Sequence, residues 1–135
     1  VVIMAEMFYD ATSFNQPLNS WIVSNLQSTR FMFFGATSFN QPLNSWNVSN
    51  VNDMDSMFSG ATSFNQSLTS WTLTNINLTT GINNIFTNAT VFNNGEAGGG
   101  TGNALGPGWS TVSSYANPFR VGSALTDANA SPVFP

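Results

Sequence analysis

The chain has 135 residues, enough for one domain with a buried core, and 41% of them are apolar. Only 6% are charged; two basic and six acidic residues give a net charge of −4, with no histidine and no cysteine. This composition excludes a basic surface for nucleic acid, Cys/His zinc sites and a disulfide scaffold. Its polarity comes instead from 19 Asn and 31 Ser plus Thr residues. No apolar run reaches the ~20 residues of a membrane span.

Residues 1–93 contain a repeat with a constant offset of 25. The segment 11–21, Ala-Thr-Ser-Phe-Asn-Gln-Pro-Leu-Asn-Ser-Trp, returns unchanged at 36–46 and with two substitutions at 61–71. The fourth copy begins three residues later than an offset of 25 predicts, because the chain has three extra residues near 77–81. Such a period is typical of solenoids, in which each repeat packs on its neighbours. The sequence therefore predicts about four stacked coils, with equivalent aromatic and aliphatic side chains forming columns of the core.

Each coil is predicted to contain a short parallel strand followed by one or two helical turns. Trp46 and Val48 have the two-residue spacing of a strand. The next apolar residues have helical spacing, and they are Val51, Met54, Met57, Phe58 and Ala61. Asn50 occupies the N-cap position of this helix, and Gly60 occupies the left-handed position that ends it. The equivalents of Gly60 are Gly35 and Asp10.

Polar side chains are also expected to stack between coils. Asparagine recurs in two columns, which are Asn15, Asn40 and Asn65, and Asn25, Asn50 and Asn75. Amides in such ladders satisfy neighbouring backbone groups at turns. Arg30 precedes Asp55 by one period. This pair is predicted to lie together on the surface, where an ion pair contributes only ~0–1 kcal/mol.

The pattern at 32–51, Met-Phe-x-x-Ala-x-x-Phe-Asn-Gln-Pro-Leu-x-x-Trp-x-Val-Ser-Asn-Val, resembles the repeat of BspA-type leucine-rich-repeat surface proteins. The resemblance covers residues of about 4–93. It implies a parallel right-handed solenoid, extracellular display, adhesion and often no enzymatic activity. Two features depart from the family: its arrays are usually longer, and the segment after Phe92 does not resemble the repeat.

The two ends of the array are predicted to take part in assembly. Residues 94–103 have the composition of a flexible Gly-rich linker. Residues 104–135 are too apolar for a disordered tail and too rich in proline for long helices, so an extended strap is predicted. The strap either caps its own array or reaches onto the next subunit. The apolar start of the chain has no polar cap, although solenoids need one. The predicted assembly residues are Val1, Val2, Ile3, Met4, Trp109, Tyr115, Phe119 and Phe134.

No catalytic residue, metal site or cofactor is predicted. Without histidine or cysteine, none of the usual nucleophile–base sets can be assembled. The acid pairs do not recur by row and are interpreted as solvated or capping carboxylates; they are Glu6 with Asp10 and Asp53 with Asp55. The segment 98–102 lacks the lysine of a phosphate-binding loop. Candidate glycosylation sequons lie at Asn77, Asn88 and Asn47.

The sequence thus favours a non-enzymatic structural subunit of an extracellular or cell-surface filament. Its partner would be itself, through heterologous contacts that do not close. An excised piece of a longer array and a self-capped monomer stay open as alternatives. The first residue is not methionine, which favours a removed signal peptide and secretion. The alternative function is a surface-displayed adhesin that binds host proteins or glycans through its outward columns, Ile22/Asn47/Thr72 and Tyr9/Phe34/Ser59.

Overall fold

A computed structural model describes residues 2–68, 70–77, 80–82 and 84–92. The linker predicted at 94–103 and the strap predicted at 104–135 lie outside the described residues. The same holds for five predicted assembly residues, namely Val1, Trp109, Tyr115, Phe119 and Phe134. We refer below to four rows, which are residues 2–25, 26–50, 51–75 and 76–92.

Equivalent segments of successive rows lie side by side and share backbone hydrogen bonds. Alternate amides of residues 4–10 donate to carbonyls in 28–34 over 2.7–3.0 Å. Residues 29–35 donate in the same way to 53–59, over 2.8–3.0 Å. The amides of Met54, Phe58 and Gly60 continue the pattern into the fourth row. Residues one period apart are therefore neighbours in space.

The two strands of the described region lie at the start of the first two rows. Strand β1 is Val2–Ile3 and strand β2 is Leu26–Ser28, and they pair in parallel. The strand predicted around Trp46 and Val48 is not formed. The alternation there comes from a segment without regular secondary structure, in which both side chains are buried and Asn47 between them is exposed. No backbone ladder joins this segment to its neighbours within the described residues, so it is not a strand.

Tandem turns occupy the place of the predicted helical turns, and none of the described residues is helical. The amides of Met57, Ser59 and Ala61 each bond a carbonyl three residues back, at 3.0–3.2 Å. The amides between them bond the next row, whereas a helix would require every amide to bond within its own row. Gly60 has a φ of 72°, so its predicted left-handed conformation is confirmed. Its equivalents agree, with φ of 67° at Gly35 and 51° at Asp10.

The core consists of two adjoining ladders of phenylalanine rings, as the predicted columns require. Successive rings in the first ladder are 5.3, 5.5 and 5.6 Å apart; the rings belong to Phe8, Phe33, Phe58 and Phe86. The second ladder, with spacings of 5.8, 5.9 and 5.8 Å, contains Phe14, Phe39, Phe64 and Phe92. Within each row the two rings also stack, at 3.9–4.2 Å. The core is therefore continuous along all four rows.

The predicted three-residue insertion is confirmed by a change of hydrogen-bond register. The amide of Thr29 donates to the carbonyl of Asp53, an offset of 24 along the chain. The amide of Met54, one period after Thr29, donates to the carbonyl of Gly81, an offset of 27. The chain between the third and fourth rows is thus longer by three. The insertion is closed by the amide of Gly81, which donates to the Asn77 carbonyl over 2.8 Å.

Candidate functional site

Each row reaches back to the row before it through polar side chains of the repeat. The Asn40 amide donates to Oδ1 of Asn15 over 2.9 Å, and Nε2 of Gln41 donates to the same oxygen over 3.1 Å. Asn65 and Gln66 repeat these contacts on Asn40, at 2.9 and 3.0 Å. This predicted asparagine ladder is confirmed, and its oxygen satisfies a backbone amide of the following row.

The second predicted ladder is also confirmed. Nδ2 of Asn50 donates to the Ser24 carbonyl over 2.7 Å, and Nδ2 of Asn75 donates to the Ser49 carbonyl over 2.8 Å. The prediction that Asn50 caps a helix is wrong, because its side chain bonds the preceding row. These donors, like those of the first ladder, point from a later row to an earlier one.

The tryptophan column forms a third set of contacts, which the sequence analysis missed. Nε1 of Trp46 donates to the Leu18 carbonyl over 2.9 Å, and Nε1 of Trp71 donates to the Leu43 carbonyl over 2.9 Å. The Ser45 amide donates to Oδ1 of Asn19 over 3.1 Å. A buried indole N–H needs an acceptor, so the Ser-Trp pair, unchanged in all three copies, was the available signal.

The first row has the matching groups without partners in the described region. Its indole and side-chain amide donors, on Trp21, Gln16 and Asn25, correspond to groups that bond a preceding row elsewhere. Its carbonyls at Ala5 and Tyr9 correspond to the Arg30 and Phe34 carbonyls, which accept amides of the first row. The first row therefore presents one half of the interface that joins each row of the described region to the next.

Apolar exposure is concentrated on the same row. Trp21 is 38% exposed, whereas Trp46 and Trp71 are 2% and 0% exposed. Ile3 is 64% exposed, and Val2 and Met7 are also exposed. Six of the seven large exposed apolar side chains of the described region lie before residue 23. We call the side chains of Val2, Ile3, Met7 and Trp21, with the free polar groups above, the first-row face.

Two of the predicted assembly residues, Val2 and Ile3, belong to the first-row face and are exposed. Their role in assembly stays a prediction. Met4 differs, because it is partly buried and packs against the core. Met7 and Trp21 were not predicted, because sequence reasoning assigned their columns to the core. No row precedes the first one among the described residues, so there these two columns are covered on one side only.

The charged side chains form one ion pair in the described region. Nε of Arg30 lies 3.5 Å from Oδ2 of Asp55, which confirms the predicted pairing. Burial raises the pKa of the Asp55 carboxyl, the hydrogen bond from Ser56 and the Arg30 charge lower it, and the charge of Asp53 raises it. The described residues contain no group of three His, Cys, Asp or Glu side chains able to hold a metal ion. They also contain no helix long and apolar enough to cross a membrane.

The three candidate glycosylation residues are exposed. Oδ1 of Asn47 accepts hydrogen bonds from the Ser49 amide over 3.1 Å and from the Ser49 hydroxyl over 2.7 Å. Oδ1 of Asn77 accepts the Thr80 amide over 3.2 Å. Asn88 has a left-handed φ of 58°. The hydroxyl residue of the Asn77 sequon, Thr79, lies outside the described residues.

Comparison with known proteins places the rows in a family. The family model described as "Mycoplasma protein of unknown function, DUF285" matches residues 1–97, and the chain belongs to this family. The match includes all four rows. No curated protein and no solved structure matches the chain.

Proposed function

We propose that the chain is a repeat solenoid of the BspA-type leucine-rich-repeat kind and a structural subunit of an extracellular or cell-surface filament. In this proposal subunits join end to end by continuing the stack of rows, and the predicted strap at 104–135 crosses onto the neighbour. The protein is not an enzyme and needs no cofactor. The observation that supports the proposal is the first-row face, which repeats one half of the interface between rows and has no partner among the described residues.

The partner that fits this face is the last row of a second copy. Amides of one row donate to carbonyls of the next, as Glu6 does to Arg30 and Asp10 to Phe34. In the fourth row the corresponding amides belong to Asn84 and Asn88, which are exposed and have no acceptor in the described region. They would meet the free Ala5 and Tyr9 carbonyls of the next subunit. This contact joins two different surfaces, so it repeats indefinitely and builds a filament.

Replacing the apolar side chains of the first-row face tests the filament. The double variant Ile3→Glu/Met7→Glu is expected to stay monomeric, because stacking would bury two carboxylates without partners. The intact parent is expected to form filaments under negative-stain electron microscopy and to sediment as polymers. Raising the salt to about 1 M should change little, because so few charges are involved.

Ile22→Asn is the matched control. Ile22 is 91% exposed, and its equivalent in the next row is Asn47, so the change copies an outward position of the repeat. This variant should polymerise like the parent. A parent that sediments as a monomer at every concentration contradicts the filament.

A second candidate function is a surface-displayed binding module for host proteins or glycans. It is favoured by aromatic side chains that lie outside the core, at Tyr9, Phe31 and Phe34.

A further inference from the structure

Three aromatic rings form a cluster on the outer surface of the first two rows. The rings of Tyr9 and Phe34 stack, with centroids 4.9 Å apart and planes 6° from parallel. Phe31 meets both edge-on, at 6.2 Å from Tyr9 and 5.7 Å from Phe34. None of the three belongs to the hydrophobic core or to the partly buried side chains that pack on it. We call these three rings the aromatic patch.

The repeat itself shows that the backbone does not require these rings. One row later, Ser56 and Ser59 take the positions of Phe31 and Phe34. In the fourth row the positions are Asn84 and Thr87. All of these rows have the same tandem turns, so small polar side chains suffice for the fold. The aromatic side chains need another explanation.

The backbone of Phe31 strengthens this argument. Its φ is 54°, in the left-handed region that bulky side chains rarely adopt. Asn84 occupies the same conformation in the fourth row, also with a φ of 54°, and asparagine tolerates it at lower cost. Glu6 and Ser56 share this conformation in the first and third rows, with φ of 62° and 54°, so it belongs to the tandem turns of every row. An aromatic ring is thus held outside the core at a position that disfavours it.

Two planar charged groups, the guanidinium of Arg30 and the carboxylate of Asp55, border the aromatic patch. The Arg30 guanidinium lies over the Phe31 ring, 5.0 Å from its centroid. Nε of Arg30 pairs with Asp55, and the Arg30 side chain is 51% exposed. Tyr9 is 46% exposed, with Phe34 against one face of its ring. An open ring and a flanking guanidinium–carboxylate pair therefore occur together.

We propose that the aromatic patch, with Arg30 and Asp55, is a binding site for a pyranose ring of a glycan. This assignment rests on the second candidate function and gives its ligand class. A pyranose has one face of C–H groups, which packs on an aromatic ring, and a rim of hydroxyls. Those hydroxyls donate to a carboxylate and accept from a guanidinium, the two groups that the border supplies. The low charge of the chain agrees with a neutral ligand bound by such contacts.

The repeat supplies the variant for a test. Phe31→Ser/Phe34→Ser gives the second row the residues of the third, and folding should be retained because Ser56 adopts the same backbone conformation, with a φ of 54°. The parent and the variant are applied to a microarray of printed oligosaccharides. The oligosaccharide that gives the strongest signal is then titrated calorimetrically. We expect the double variant to bind that oligosaccharide at least about tenfold more weakly. Its melting temperature should be close to that of the parent. Val91→Ser, the control, gives an exposed position of the fourth row the serine found there in the other rows, and it should bind like the parent.

Three results would overturn the glycan site: a parent that binds no printed oligosaccharide, equal affinity in the double variant, or loss of self-association instead of glycan binding. The titration is repeated in the Ile3→Glu/Met7→Glu background, which keeps Phe31 and Phe34. Glycan binding that persists there separates the site from filament formation. The experiments therefore distinguish a failure of the glycan site from a failure of the filament.

Discussion

Phe58→Ala is expected to lower the free energy of unfolding by about 3–5 kcal/mol, the largest effect of any single change considered. The Phe58 side chain is fully buried. Its ring stacks between Phe33 at 5.5 Å and Phe86 at 5.6 Å, and it also packs on Phe64 at 4.2 Å. Alanine leaves a cavity that the flanking rings cannot fill, because the backbone bonds between rows fix their spacing. Urea denaturation followed by tryptophan fluorescence measures the loss.

Phe8→Ala provides the matched control for that substitution. Phe8 is the equivalent of Phe58 in the first row, but it is only partly buried and has the Phe33 ring on one side. Its removal should cost less than half as much, because water already reaches part of the site. Equal losses at the two positions would mean that the ladder is not continuous.

Gly81→Ala is expected to have the second largest effect, about 2–3 kcal/mol. A methyl group at Gly81 would overlap the carbonyl oxygen of Asn52 and lie 3.0 Å from the Asn77 carbonyl oxygen. Both obstacles are backbone atoms, so no side-chain rotation relieves them. The shift would also disturb the hydrogen bond that the Gly81 carbonyl accepts from the Met54 amide. Thermal and urea unfolding of the variant measure the cost.

Gly60→Ala separates this steric effect from a glycine's conformational freedom. Gly60 has a φ of 72°, and a methyl group there would lie 3.6 Å from the nearest atoms, an ordinary contact. The substitution should therefore cost only the left-handed conformation, about 1 kcal/mol. A larger loss at Gly60 than at Gly81 would contradict the packing of the insertion against the third row.

The side-chain columns could be predicted from the sequence because a fixed period places equivalent residues one above another. The phenylalanine ladders, the asparagine ladders, the insertion before Gly81 and the Arg30–Asp55 pair all follow from aligning the copies of the repeat. The left-handed conformation at Gly60 followed from the recurrence of Gly and Asp at one position. Each of these inferences depends only on knowing which residues are equivalent in successive rows. Alignment of the repeats identifies those residues directly.

The backbone hydrogen bonds could not be predicted in the same way. Apolar spacing at Val51, Met54 and Phe58 fits a helix, but tandem turns bury the same residues. The two structures differ in whether alternate amides bond within the row or to the next row. Side-chain periodicity carries no information on that choice. The candidate site was missed in part for a related reason, because Trp21 and Met7 belong to core columns and are exposed only by their place in the first row.

Engineered disulfides test most directly the central claim that residues one period apart are neighbours. The chain has no cysteine, so a single introduced pair reports only on its own distance. Thr37 and Thr62 are exposed equivalents, and the Thr62 hydroxyl reaches the Thr37 carbonyl over 3.5 Å. A disulfide needs Cα atoms ~4.4–6.8 Å apart. The stacked phenylalanine rings of adjacent rows are 5.3–5.9 Å apart. The control pair combines Thr37→Cys with Ser70→Cys, which lies in a different column.

The measurement is the rate of intramolecular disulfide formation in Thr37→Cys/Thr62→Cys under mild oxidation, followed by mass spectrometry of proteolytic fragments. Stacked rows predict rapid and complete oxidation of this pair and little oxidation of the control pair in the folded protein. Both differences should disappear in urea. Equal rates for the two pairs in the folded protein would contradict the stacking, and with it the end-to-end assembly built on it.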